Sequence, residues 1–248
     1  MSDILGFACP IYPDAEYPGS CFTMGQYWKV INLDKRQTLG HWGKLGEFLF
    51  SPSPSWLVEL LARPMEPLDT STRGVNCVGS WAGDRIICVG DYIDDYPKCM
   101  LTKSEAKVLR ETNLYDFASE HYEELHPSGF TFPRSAAFST DRIWILRNLS
   151  KRQYVRADVL AAASEGEIIG PIVDTPGFGH VICSRISWSS DSSSSMSSYE
   201  GDITRGIWAG HRFDISTLES VGIGESGKQW KNVSKKVAKE ITEIWECE

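Results

Sequence analysis

The chain repeats itself. Ten residues from Trp28, WKVINLDKRQ, return from Trp144 as WILRNLSKRQ with six positions kept. GSWAGDR from Gly79 returns from Gly206 as GIWAGHR with five of seven kept. The two stretches come in the same order in each half, and such an ordered pair constrains the fold more than either match alone. Repeated supersecondary units fold alike and bury their apolar faces on each other. The second copy is longer, and the run SSDSSSSMSS (Ser189 to Ser198) supplies much of the excess. That run has too little apolar surface to be buried and reads as a loop. A fainter third match aligns Tyr115 to Leu125 with the segment from Trp230, each having a Ser four residues after its aromatic.

These spacings predict an irregular leader at residues 1–20, a first module at 21–126, a joint at 127–138 and a second, diverged module at 139–248, with the Ser-rich loop at 189–198. The joint carries two prolines and a glycine and lacks a helical period. QYWKVINLDKRQTL and IWILRNLSKRQYV each read as a β-hairpin, with the Asn favouring the turn. PSWLVELLARP reads as a short helix and HVICSRISW as a strand. DRIICVGDYI reads as a strand and HRFDIST as its shorter counterpart. TKSEAKVLRE opens on a Thr102-x-x-Glu105 capping box, and NLYDFASEHYEEL continues as helix. Trp230, Val233, Val237, Ile241 and Ile244 fall on one face of a last helix. The expected class is α+β, with two tandem, internally duplicated modules packed as a pseudo-dimer.

Composition narrows the function classes. A net charge of −8 argues against broad nucleic-acid binding, which needs clustered Lys and Arg. No apolar run reaches the roughly 20 residues that span a bilayer, so no membrane contact is expected. The first residues lack a basic stretch followed by an apolar core. Seven cysteines, an odd number without a Cys-x-x-Cys, read as free thiols in a reducing compartment, which places the protein in the cytoplasm. Cys77, Cys88 and Cys99 recur every eleven residues and read as separate thiols on strands.

VINLDKRQTL, GKLGEF, GSWAGDRIICVGDY and NLYDFASEHY together resemble a family of small, uncharacterised bacterial and fungal proteins. Its members carry an Asn-Leu-Asp-Lys hairpin and a Gly-x-Trp-Ala-Gly-Asp-Arg motif. The resemblance spans most of residues 25–125, and the second half looks like a diverged copy of it. There His211 stands where the first copy has Asp84, and the Gly90-Asp91-Tyr92 ending is missing. The resemblance brings no activity with it. It implies that a function carried by Asp84 and Asp91 is lost or altered in the second module.

No recognised catalytic or phosphate-binding motif is present among the five histidines and 21 glycines. A nucleophile–base pair would have to come from Cys183 with His180 or His211. The carboxylates of GDYIDDY lack the spacing of a calcium loop, and no metal or cofactor is expected. In Trp-Ala-Gly-x-Arg, the glycines permit a tight turn, the Trp anchors it, and the Arg pairs with Glu47 or Asp91 or stacks on the Trp. Alternatively Trp81, Asp84, Arg85, Asp91, Trp208, His211 and Arg212 line a ligand site, with Asp84 against His211 setting specificity. The leading expectation is a non-enzymatic binding protein for a carbohydrate, peptide or protein partner, in the manner of a defence lectin or a toxin antagonist. The alternatives are an enzyme of unfamiliar type with its site between modules, using His180 or His211 with Asp84, Asp91 or Cys183, and a scaffold or storage protein.

Overall fold

Runs of β-branched and aromatic residues ending on Asn set the first elements. A computed structural model describes residues 26–40, 45, 53–63, 78–98, 100–125, 141–163, 177–190, 203–222 and 229–246. Trp28–Asn32 (β1) turns through Leu33 to Arg36 into Gln37–Thr38 (β2). The Asn32 side-chain oxygen accepts the amides of Asp34 and Lys35 at 3.0 and 2.9 Å, which fixes the turn. After Ser53–Leu61 (α1), Arg85–Gly90 (β3) follows, then Lys103–Val108 (α2), Leu114–His121 (α3) and Glu123–Glu124 (β4). The second half holds Trp144–Asn148 (β5), Gln153–Arg156 (β6), Ala157–Ala163 (α4), Phe178–Ile186 (α5), Ser187–Trp188 (β7), His211–Thr217 (β8), Lys231–Asn232 (β9) and Ser234–Glu246 (α6). The Thr102–Glu105 capping box forms as expected. The architecture is α+β.

All the described strands join one mixed sheet in the order β4-β2-β1-β3-β8-β5-β6-β9, with β7 also beside β3. The order is built alike from both ends. Gln37 of β2 pairs in parallel with Glu123, and Gln153 of β6 with Lys231. Asn32 pairs antiparallel with Ile86, and Asn148 with Phe213. At the centre β3 and β8 run antiparallel with Arg85 opposite Arg212. Two backbone bonds close that seam. The Gly83 amide donates to the Phe213 carbonyl at 2.7 Å, and the Gly210 amide to the Ile86 carbonyl at 2.9 Å. Both glycines have positive φ, 93° and 73°, which a side chain rarely adopts.

The segments after the two long buried helices cross the seam. Ala62, after α1, bridges in parallel to Ile215 of β8. Ser187, after α5, pairs in parallel with Cys88 of β3. Helices α1 and α5 pack on each other over one sheet face. Their core includes Trp28, Leu57, Leu60, Cys88, Phe178, Cys183 and Phe213, none more than 1% exposed. On the other face, Leu109, α3 and the chain around Ile93 to Leu101 cover Ile31, Ile87 and Val89. Lys29 also lies on that face, its Nζ donating to Ser119 Oγ and standing 4.8 Å from the Tyr115 ring centre. Where the first half pairs Ile31 with Ile87, the equivalent register of the second half pairs Arg147 with Asp214. Arg147 grips that fully buried carboxylate with two bonds of 2.7 Å, and Arg63 adds a third at 2.5 Å.

Several expectations change. HVICSRISW is not a strand but most of α5, followed by the two-residue β7. Seven of the nine α5 residues are buried, so the helix lacks the polar face that marks one in sequence. HRFDIST is the longer partner, seven residues against six for β3. Trp230 precedes β9 and is not on the last helix, whose buried residues include Val237, Ala238 and Ile241. The faint third match also shifts, since Tyr115 is helical while Lys231 pairs in the position of Glu123. The leader, the joint, Cys77, Cys99 and all but Ser189 and Ser190 of the Ser-rich run lie outside the described residues.

Candidate functional site

The repeated stretches bind each other. Asn32 of the first hairpin donates from Nδ2 to Asp84 Oδ2 at 2.8 Å. Asn148 of the second hairpin donates from Nδ2 to His211 Nδ1 at 2.9 Å. Trp81 is fully buried and its indole N–H donates to Gln37 Oε1 at 2.9 Å. The residues that differ between copies, Asp84 and His211, thus present the same acceptor to the same Asn.

The two arginines share one acid. Arg85 Nε donates to Asp34 Oδ1 at 2.8 Å, Nη1 to the Met100 carbonyl at 2.7 Å and Nη2 to Glu105 Oε1 at 3.2 Å. Arg212 Nη1 reaches Asp34 Oδ2 at 2.6 Å and the Gly83 carbonyl at 2.9 Å. In the second hairpin Ser150 stands where Asp34 stands in the first, and among the described residues its hydroxyl accepts the Arg212 amide alone. Arg212 therefore crosses the seam for its carboxylate. Like charges directly opposite on neighbouring strands repel, and Asp34 between them offsets that. Burial pushes the Asp34 carboxyl up, but bonds from the Arg85 amide and guanidinium and the Arg212 charge outweigh it and hold it below the ordinary range. Asp91 is not among these Arg85 partners, and Glu47 lies outside the described residues.

The expected nucleophile is sealed. Cys183 is fully buried in α5, and burial pushes its thiol far above the ordinary range. Cys88 faces it across the core and is shifted the same way, mostly by burial and then by Cys183. His180 lies three residues before Cys183, and burial lowers its pKa. Burial first and the Lys151 charge second push His211 down to about 4. The carboxylates after β3 have partners too. Asp91 Oδ1 accepts the Tyr27 amide, Asp94 pairs with the Ser190 hydroxyl, and Asp95 takes Arg205 and the Trp188 indole. Among the described residues no group of three metal-ligating side chains converges.

Open volume lies elsewhere. A small apolar recess of about 220 Å³ sits against α2 and α3, between Leu33, Leu109 and Phe117. A larger pocket of about 510 Å³ opens beside Trp208, between β6, β9 and α6. Its walls carry Arg156, Arg185, Lys231, Lys235 and Lys236 against the single acid Glu240. Ile207, 64% exposed, stands beside Trp208 at this pocket. Arg185 lies over the Trp208 ring at 5.2 Å and donates from Nη2 to Glu240. Among the expected site residues, only Trp208 belongs to this pocket. Lys231, Lys235 and Lys236 carried no signal in sequence beyond a solvated helix face, because β9 and β6 had to pair before they shared a wall. Comparison of the chain with family models, curated proteins and solved structures finds no match.

Proposed function

We propose that this chain is a cytosolic, non-enzymatic binding protein made of two copies of one module, fused through β3 and β8 into a shared sheet. Three correspondences support the duplication. Asn32 and Asn148 hold the same hairpin bond and the same strand register. Trp81 and Trp208 both donate a backbone amide to the last turn of the preceding helix, at Leu60 and Arg185. The bridges Ala62 to Ile215 and Ser187 to Cys88 are reciprocal. A module pair arranged this way packs as a pseudo-dimer about the Arg85–Arg212 pair.

One contrast carries the binding reading. The polar residues of the repeat bond to one another and build the scaffold, while a pocket within the roughly 300–1,000 Å³ of ligand sites stands open beside Trp208. Its mixture of an aromatic wall, an exposed aliphatic rim and unevenly charged sides suits a peptide or protein segment better than a neutral sugar. No helix among the described residues is long and apolar enough to cross a membrane. The free thiols of Cys88 and Cys183 fit a reducing compartment.

The test is a ligand screen by thermal shift over peptides, glycans and metabolites, repeated on Ile207→Asp. Because Ile207 is exposed, that variant should keep the parent melting temperature and lose the ligand-induced shift. Turnover of a ligand, or an equal shift in the variant, would count against the reading.

A further inference from the structure

Arg185 is the feature that the fold leaves unfinished. Its side chain is only 8% exposed, yet its Nε–H has no acceptor among the described residues. Nε itself is closed to solvent, so the guanidinium serves the pocket as a fixed positive charge and not as an open donor. The guanidinium is stacked on Trp208 and anchored through Nη2 to Glu240, so its plane is set before any ligand arrives.

The surrounding charge supports the same conclusion. The whole chain carries −8, but this pocket gathers five cations against Glu240, with Arg156 also held by Asp158 at 2.5 Å. Glu240 is already engaged by Arg185 and, at 3.6 Å, by Lys236. Lys231 and Lys235 are exposed and enter none of the ion pairs of the described residues. A recessed cationic wall on an acidic protein focuses potential and selects anions from solution. Beside it, Ile207, Trp208 and Val237 offer apolar surface.

We infer that the pocket beside Trp208 binds an organic anion, a carboxylate or phosphate group joined to an apolar group, with Lys231 and Lys235 meeting the anion beside the fixed charge of Arg185. This rests on the binding reading above and names the ligand chemistry for its pocket. Glu240 occupies the place of an internal competing anion. Removing its charge frees both Arg185 and Lys236 for the ligand.

The experiment follows the Arg Nε–H signals of the full chain by ¹⁵N NMR, the Arg185 signal being the one lost in Arg185→Lys. The probes are phenylacetate, phenyl phosphate, the blocked tripeptide acetyl-Glu-Phe-Glu-amide, and benzyl alcohol as the neutral control. The anions should move the Arg185 signal and benzyl alcohol should not. Tighter binding of the tripeptide than of phenylacetate assigns the anion to a peptide, and the reverse assigns it to a small acid. Lys231→Gln with Lys235→Gln should weaken anion binding about five-fold, and Glu240→Gln should tighten it about three-fold. Because the lysine substitutions are at exposed positions, they keep the test valid even where Arg185→Lys fails to fold. No movement up to about 10 mM anion, or an affinity indifferent to Glu240→Gln, overturns the inference. Benzyl alcohol moving the signal alone overturns it as well, but leaves the binding reading standing. Turnover of a ligand at this pocket would instead overturn the binding reading.

Discussion

At the scale of single residues, the position that differs most between copies is a matter of proton bookkeeping. His211 Nδ1 accepts from Asn148, whose own oxygen is committed to the Lys151 amide at 3.0 Å. A protonated imidazole would set two donors face to face, and Asn148 cannot flip without losing the turn. The folded chain takes up that proton near pH 4, against 6.5 for the ordinary group. A depressed histidine contributes stability that is complete above the unfolded value and is lost as pH falls through 6.5 toward 4. After discounting for its partial exposure, the loss is about 2 kcal/mol. His211→Asp restores the acceptor of the first copy, so its denaturant midpoint should fall less over that interval. A constant difference between variant and parent from pH 7 to 4.5 would refute this. Gly206 is governed by space instead. A Cβ there would stand 2.2 Å from the Arg185 carbonyl oxygen, so Gly206→Ala should cost about 3 kcal/mol or more and lower the melting temperature sharply. Gly177→Ala meets nothing within 4 Å but sits at φ 67°, and should cost only about 1 kcal/mol. The sequence shows Asp84 and His211 as the variable pair. It does not show Arg212 reaching Asp34, because no local spacing encodes a bond across the seam.

Among the elements, hairpins were the most legible and helix α5 the least. The hairpins carry alternating β-formers and a turn-making Asn, all local signals. Helix α5 is buried on nearly every side by α1, α6 and the sheet, so its apolar run has no periodic contrast to read. Cross-strand pairs lie between these cases. Ile31–Ile87 sits beneath Leu109, α3 and the Ile93–Leu101 chain, whereas Arg147–Asp214 makes an ion pair at the same register. Asp214→Leu alone strands two arginines around an apolar side chain and should cost about 3–5 kcal/mol. Asp214→Leu with Arg147→Ile rebuilds the pairing of the first half and should recover at least half of that. Chemical denaturation of the three proteins checks the coupling, and additivity of the two substitutions would show that the pair acts as separate groups.

For the whole molecule, the crossing segments tie the halves together more firmly than the short seam does. Ala62 completes the edge of β8, and Ser187 completes the edge of β3. A chain cut between Phe130 and Thr131, outside the described residues, should give two fragments that co-purify when co-expressed and aggregate when made alone. Recovery of either fragment as a soluble, cooperatively melting protein would show that the crossings are dispensable. The α+β class was visible from the mixture of hairpin and helix signals. The pocket beside Trp208 was not, since its walls come from β6, β9 and α6, which meet only after the sheet has formed. On the duplication reading, the reciprocal crossings also say something about descent. A single-copy ancestor would have completed each sheet edge with a strand from a second molecule, making it a homodimer that exchanges segments. Fusion would then have freed the copies to diverge. On that reading the second copy keeps an arginine at the seam, carries Ser150 where the first has Asp34, and holds an ion pair where the first has an isoleucine pair.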